Sequence, residues 1–140
     1  MEYITAGESH GPVLTAIVSG VPAGLAISEK AINSDLARRQ SGYGRGGRQA
    51  IEKDKVSVTS GVRFGHTIGS PVTLSVANRD WSNWTERMSV FGEPPQDLVR
   101  EVTPRPGLAD LLGVLKIDLV DCRNILERSS ARDTTMRVAA

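Results

Sequence analysis

The 140-residue sequence has a single cysteine, only two histidines and almost no net charge. The lone Cys122 excludes an intramolecular disulfide and any multi-cysteine metal site, and it is typical of a reducing cytosol. Two histidines give no His/Cys/Asp spacing that predicts a zinc site. A formal charge of +1 excludes a strongly polycationic protein, so any anion site must come from local clustering of basic residues.

A long hydrophobic run is also missing. Residues 11–28 carry no charge, but two prolines and three glycines interrupt them, which makes a poor membrane span. The start Met1-Glu2-Tyr3 lacks the basic region of a signal peptide. We therefore expect a cytoplasmic chain of one domain, without a membrane or nucleic-acid partner.

Alternation of apolar and polar residues predicts the strands. Val13–Val18 is apolar and β-branched, which predicts a buried strand, and after a turn at residues 20–24 a returning strand is expected to begin at Leu25–Ile27. Residues 56–62 and 72–77 alternate with a period of two. They are predicted to form an antiparallel hairpin joined through residues 64–70.

Helices are predicted between and after these strands. Ser28 is a suitable N-cap for a helix from Glu29 to about Arg39. Leucines at helical spacing predict a helix over residues 107–117, Asp121 can cap another past Leu126, and a last helix is expected over residues 130–140. Residues 78–106 contain four prolines and both tryptophans and predict a long ordered loop of the kind that is usually functional. The fold class is α+β.

Three clusters have residue types that suit anion chemistry. The first is Gly7-Glu8-Ser9-His10-Gly11, where flanking glycines allow a ligand close to the main chain, although an incidental histidine in a hairpin turn is the alternative. The second contains Arg38, Arg39, Arg45 and Arg48 among glycines, and its guanidinium groups suit phosphate or carboxylate. A solvated basic surface and a nucleic-acid-binding segment are the other interpretations of this loop.

The third cluster is Glu127-Arg128-Ser129-Ser130-Ala131-Arg132-Asp133-Thr134. Serine and aspartate at a helix start, with two arginines beside them, predict an anion cradle, and plain N-capping with surface arginines is the alternative. The turn at residues 103–107 is rigid and can direct Arg105 towards a site. His66 is expected at the surface, and Cys122 is expected to be buried and inert.

These motifs, in this order, resemble the N-terminal part of chorismate synthase. Residues 7–22 resemble the first signature of that family, residues 36–46 its arginine loop, and residues 67–80 the hairpin that follows. Residues 105–110 resemble its next turn, and residues 127–138 its Ser-Ala-Arg signature. The resemblance covers essentially the whole sequence and implies the N-terminal portion of one β-α-β sandwich domain whose C-terminal part is absent here.

The resemblance implies a reaction in the shikimate route to aromatic amino acids. 5-Enolpyruvylshikimate 3-phosphate would lose phosphate by 1,4-anti elimination to give chorismate, with reduced FMN as the required cofactor. The family also implies a homotetramer, and NADPH as the reductant in bifunctional members. Ser9, His10, Arg45 and Arg132 would bind the substrate, and His10 would give a proton to the departing phosphate.

The remaining matched positions are assigned to cofactors by the resemblance. Arg128, Ser129 and Ser130 match positions that contact FMN, while Arg39 and Arg45 match positions assigned to NADPH. Leu108 is a departure, because the family has a second histidine at this place and leucine cannot transfer a proton. Loss of one general acid typically costs about 10²- to 10⁴-fold in rate. A catalytically inactive remnant or partial anion-binding module is therefore the alternative function.

Overall fold

The computed structural model describes residues 1–41, 51–130 and 132–140. Six strands and four α-helices lie in these ranges, together with a 3₁₀ helix at Arg79–Asn83. The strands are β1 (Glu2–Ala6), β2 (Val13–Ser19), β3 (Val56–Ser60), β4 (Val62–Arg63), β5 (His66–Thr67) and β6 (Val72–Ala77). The α-helices are α1 (Glu29–Gln40), α2 (Asp110–Ile117), α3 (Arg123–Arg128) and α4 (Asp133–Ala139).

The main sheet is antiparallel throughout and has the order β1-β2-β6-β3. The predicted hairpin is confirmed, since β3 pairs with β6 from Val56 opposite Val76 to Ser60 opposite Thr73. Between them β4 and β5 form a second, two-stranded sheet. The chain therefore leaves and re-enters the main sheet through a small hairpin of its own.

One face of the main sheet carries the core. Leu14, Ala16 and Val18 of β2 alternate inward and lie beside the inward residues of β6, because cross-strand partners share a face. Helices α1 and α4 cover this face, and they contribute Leu36 and Met136, both at most 1% exposed. Ser28 caps α1 as predicted, accepting a hydrogen bond from the Ala31 N–H at 3.2 Å.

Two strand predictions need correction, and one strand was not predicted. Val13–Val18 is not buried on both sides, because Val13 and Ile17 point to the other sheet face and are 38% and 40% exposed. The predicted returning strand at Leu25–Ile27 is only an isolated bridge between Ala26 and His66. Strand β1 was not predicted, because it is an edge strand whose few apolar residues give a weak periodic signal.

Residues 84–122 form a second region that contains α2 and the loop before it. The predicted helix is present, but it begins at Asp110, so Leu108 precedes it. Gly113 lies against Ile125 of α3, where an added Cβ would come within 2.5 Å of the isoleucine side chain. Since α2 packs through this glycine, its leucines remain at the surface, and Leu112 is 74% exposed.

The other local predictions agree with the structure. Asp121 accepts a hydrogen bond from the Arg123 N–H at the start of α3, at 2.9 Å. Cys122 is buried, and burial raises the pKa of its thiol, which favours the inert protonated form. His66 is exposed. Within the described ranges, no helix is long and apolar enough to cross a bilayer.

Candidate functional site

The turn at residues 7–11 lies between β1 and β2 and is held by Asn78, at the end of β6. The Asn78 side-chain amide donates to the Gly11 carbonyl at 2.8 Å and lies within 3.3 Å of the carbonyls of Glu8 and Ser9. Gly7 has φ 117°, and a Cβ there would meet the Val13 carbonyl oxygen at 2.6 Å. Only glycine fits this position. The local sequence therefore permits the turn, and Asn78 holds it in place from the end of β6.

His10 extends from this turn towards α3 and meets Glu127. Its Nδ1 lies 2.9 Å and 3.0 Å from the two carboxylate oxygens, and its backbone N–H donates to the Glu127 Oε2 at 2.7 Å. The Ser9 N–H donates to the Glu127 backbone carbonyl at 3.0 Å. His10 and Glu127 are 117 positions apart in sequence, and their pairing brings the first and third predicted clusters together.

Glu127 is buried, at 2% exposure, yet its carboxylate stays ionised. Burial raises its pKa, while hydrogen bonds from His10 and Arg123 lower it by more, so the pKa lies below its ordinary value. An ionised carboxylate only accepts hydrogen bonds. The Nδ1 of His10 must therefore be the donor in this pair, and the Nε2 is left to exchange a proton.

Trp84 covers the imidazole on another side. The ring centroids of His10 and Trp84 are 4.1 Å apart, and the Arg123 guanidinium lies 5.3 Å from the indole ring. The indole N–H donates to Asp80 at 3.1 Å, which anchors the ring. The long ordered loop predicted from residues 78–106 thus supplies one wall of the site, as well as the Asn78 clamp.

Arg132 lies behind the turn and is buried, at 6% exposure. Its guanidinium donates to Asn78 Oδ1 at 2.6 Å and to Asp54 Oδ1 at 2.6 Å, and it lies 3.9 Å from Glu52. Arg39 lies 3.6 Å from the same Asp54 and donates to Thr134 at 2.9 Å. The structure therefore places these two arginines in a buried cluster with two carboxylates, where their charges are balanced by protein groups.

The segment predicted to contact FMN lies beside β1. Arg128 pairs with Asp133 and also donates to the Thr5 hydroxyl at 3.2 Å, while its side chain is half exposed. Arg137 pairs with the same Asp133 at 2.8 Å. Two guanidinium groups share one carboxylate here, so the local charge is positive and suits an anionic group such as a phosphate.

The two serines of this segment are already engaged in the protein. Ser129 donates from its hydroxyl to the Ile125 carbonyl at 2.7 Å. Ser130 donates to the Ser9 hydroxyl at 2.8 Å, which links the Ser-Ala-Arg segment to the turn that carries His10. Ser9 itself is buried, at 3% exposure. In this segment the Arg128 guanidinium is therefore the group that suits an anion, while the Ser130 hydroxyl links the segment to the turn at residues 7–11.

Three further predicted positions are located as follows. Arg45 and the arginine loop from residue 42 onwards lie outside the described residues. Arg105 forms a bidentate pair with the buried Asp110, with N–O distances of 2.8 and 2.9 Å. Because Asp110 is the first residue of α2, this pair directs the Arg105 side chain towards the start of that helix. Leu108 is 49% exposed in the same turn. Within the described ranges, no group of three acidic, histidine or cysteine side chains is arranged to hold a metal ion.

The roles of Glu127, Asn78 and Trp84 were not predicted from the sequence. Each of these residues lies within a segment that the sequence analysis singled out. No neighbouring residue in the sequence indicates that it contacts the turn or His10. A recognisable signal existed only for Asn78, a polar residue directly after an apolar strand. The contacts themselves depend on how β6 and α3 meet the turn, which periodicity does not report.

Comparisons with known proteins agree with this architecture. A family model described as chorismate synthase matches residues 1–140. The chain is 65% identical over 139 residues to a chorismate synthase of Geobacter metallireducens, covering 99% of this chain and 35% of that protein. It is 64% identical over 141 residues to a chorismate synthase of Enterococcus faecalis, covering 99% of this chain and 36% of that protein.

A solved crystal structure of a chorismate synthase has a similar fold. The TM-score is 0.69 at 43% identity, and the match covers 99% of this chain and 31% of that one. The sequence and the fold thus point to the same relatives, of which this chain spans about a third. Because the family model matches all of residues 1–140, the chain belongs to the chorismate synthase family.

Proposed function

We propose that these residues form the N-terminal third of an enzyme that converts 5-enolpyruvylshikimate 3-phosphate to chorismate and phosphate. The reaction breaks the carbon–oxygen bond to the phosphate and removes a ring proton, without net redox change. Membership of the family over residues 1–140 is the observation that carries this proposal. The paired His10 and Glu127 support it, because they provide a proton carrier of fixed orientation.

His10 is proposed as the general acid for the departing phosphate. Its Nδ1 faces Glu127, so the proton is given from Nε2, and the neutral ring that remains keeps its Nδ1–H bonded to the carboxylate. Imidazoles commonly carry out such transfers because they gain and lose a proton near neutral pH. The tilted contact with Trp84 and the burial of the ring limit the directions in which it can turn.

Reduced FMN is proposed as the cofactor, and Arg128 is the described residue that best fits its phosphate. The half-exposed guanidinium shares the carboxylate of Asp133 with Arg137, which leaves this cluster of three side chains with a positive charge. When bound, the flavin would supply an electron transiently to assist phosphate departure. Ser129 and Ser130 are proposed to position this segment, since their hydroxyls bond to Ile125 and Ser9.

The predicted ligand contacts of the other arginines stay predictions. Arg132 would have to exchange its hydrogen bonds to Asn78 and Asp54 for the substrate phosphate, whereas Arg45 lies outside the described residues. Arg39 would likewise share its contacts to Asp54 and Thr134 with NADPH. A homotetrameric assembly and a cytoplasmic location are further parts of the proposal, and they are supported by the family alone.

The test uses residues 1–140 joined to the remaining two thirds of the Geobacter metallireducens relative. With reduced FMN and 5-enolpyruvylshikimate 3-phosphate under anaerobic conditions, we expect chorismate absorbance and released phosphate to rise together. His10→Ala in the same chimera is the control, and it should lose about 10²- to 10⁴-fold in rate. Turnover well above that control would exclude the remnant.

Leu108 motivates the alternative of an inactive remnant, so the chimera is also made with Leu108→His. Activity that appears only in this variant would show that the reaction needs the second histidine and that the natural sequence has lost it. Silence in both chimeras, with both folded by circular dichroism, would contradict the proposed enzyme. If the inactive chimeras still bind phosphate, that result would favour an anion-binding module.

A further inference from the structure

We propose that Glu127 is the positioning residue of His10 and selects which imidazole nitrogen exchanges the proton. The inference rests on the proposed function, in which His10 is the general acid. It assigns to Glu127 a role that neither the sequence motifs nor the family match specifies. The residue does not contact the reacting atoms in this proposal and acts entirely through His10.

The geometry fixes the ring at two points with one carboxylate. Glu127 Oε2 accepts from the His10 backbone N–H at 2.7 Å, and both oxygens lie within 3.0 Å of the ring Nδ1. The backbone bond sets where the residue stands, and the side-chain bond sets which edge of the ring faces α3. A carboxylate that accepts from Nδ1 also stabilises the imidazolium before proton transfer, as in catalytic His–carboxylate pairs.

Glu127 is itself held rigidly. It lies on α3, and the Arg123 guanidinium one turn earlier donates to Oε1 at 3.2 Å. The same Arg123 lies over Trp84, whose ring is 4.1 Å from the imidazole of His10. The carboxylate, the guanidinium and the indole therefore form a closed set of contacts around His10. Pre-organised supporting groups of this kind hold a catalytic side chain near its productive geometry.

A purely structural role for Glu127 makes a different prediction. Its contacts with the His10 and Ser9 backbone would then matter only for holding the turn at residues 7–11. Glu127→Gln keeps the size of the side chain and an oxygen that can accept from the His10 N–H. The substitution removes the charge and, when the amide oxygen faces the His10 N–H, places an N–H donor beside both Nδ1 and Arg123. It therefore tests the choice of nitrogen with little change in shape.

The first experiment is ¹⁵N NMR on the chimera described above, labelled on histidine. In the wild-type residues, we expect the neutral form of His10 to carry its proton on Nδ1 alone. Glu127→Gln should remove this preference and give a mixture of tautomers. The signal of His66 is an internal reference, since that residue is exposed and contacts the Phe64 carbonyl rather than Glu127. His10→Ala identifies the His10 resonances.

The second experiment measures turnover with the same proteins. Glu127→Gln should lower kcat by roughly 10²-fold, the lower end of what a general acid contributes, while KM stays near the wild-type value. Glu93→Gln, at an exposed carboxylate of the 84–122 region, is the matched control and should change neither quantity. A purely structural role would instead lower thermal stability and leave the tautomer unchanged.

The outcomes separate the two proposals. A wild-type His10 that is protonated on Nε2, or a tautomer that Glu127→Gln leaves unchanged, would overturn the positioning role even in an active enzyme. An inactive wild-type chimera in which His10 has a single Nδ1–H tautomer would contradict the proposed function. It would still support the role of Glu127 in orienting the His10 ring. If the variant fails to fold, a wild-type His10 protonated on Nε2 still overturns the positioning role, and one protonated on Nδ1 alone supports it.

Discussion

The two regions of this chain use their apolar residues in opposite ways. In the first, the main sheet with α1 and α4, the leucines lie inside, and Leu74 is 3% exposed. In the second, residues 84–122, the leucines of α2 lie outside, with Leu112 at 74%. Both segments have apolar residues at the correct spacing for their element, so periodicity alone does not distinguish a buried face from an uncovered one.

The difference lies in what packs against each element. The sheet face meets two helices from the described residues, whereas α2 meets α3 through Gly113 and Ile125. The candidate site lies where the two regions meet, because His10 belongs to the first and Trp84 to the second. The described residues therefore build a packed core on one side of the site and an apolar surface on the other.

The largest expected effect comes from the buried charge cluster of the first region. Arg132→Met removes the buried guanidinium that donates to Asp54 Oδ1 and to the side-chain Oδ1 of Asn78, and breaking such a pair costs about 3–5 kcal/mol. Arg87→Met, in an exposed pair with Asp97, should cost about 0–1 kcal/mol. Urea unfolding of the 140-residue chain measures both. Similar small losses would show that the cluster contributes little.

The leucines of the two regions give the next comparison. Leu74→Ala should lower the free energy of unfolding by about 2–5 kcal/mol, because it leaves a cavity in the packed core. Leu112→Ala should change it by less than about 0.5 kcal/mol, because the side chain is exposed. Repeating both substitutions in the chimera sharpens the comparison. If the additional residues cover α2, only the cost of Leu112→Ala will rise there.

The smallest expected effect is a pH dependence in the second region. The hydrogen bond from Arg105 holds the pKa of Asp110 below its ordinary value, against the opposing effect of burial. The carboxylate therefore stabilises the folded chain above its unfolded pKa of about 4, and this contribution is lost as pH falls through the lower folded value. Asp110→Asn should give a shallower decline of Tm below pH 4 than the wild type.

Asp118→Asn is the control for that measurement. Asp118 ends α2 in the left-handed conformation with φ 52°, which asparagine also adopts readily, and it is exposed. The substitution removes the same charge from the same helix without removing a buried pair. An equally shallow decline in both variants would assign the effect to net charge. An unchanged global transition in Asp110→Asn would indicate that α2 unfolds separately from the sheet.

Local signals predicted much of this fold. Ser28 was identified as the N-cap of α1 because a cap depends on groups within a few positions, and β3 and β6 were identified by their alternation. Asp121, predicted as a cap, precedes the N-cap residue Cys122 and accepts a hydrogen bond from the Arg123 N–H. The edge strand β1 was missed because its apolar signal is short. The burial of Val13–Val18 was overestimated, since a strand does not itself specify whether its second face is covered.

For the candidate site, the sequence by itself determined the family, the Gly-bounded turn and His10, because these depend on residue types in a fixed local order. Tertiary structure alone decided that His10 meets Glu127, that Asn78 clamps the turn, and that Arg132 points inward to Asp54. These contacts join residues separated by 67 to 117 positions. The packing of α3, α4 and β6 around the turn at residues 7–11 brings these residues together. No local sequence pattern predicts that packing.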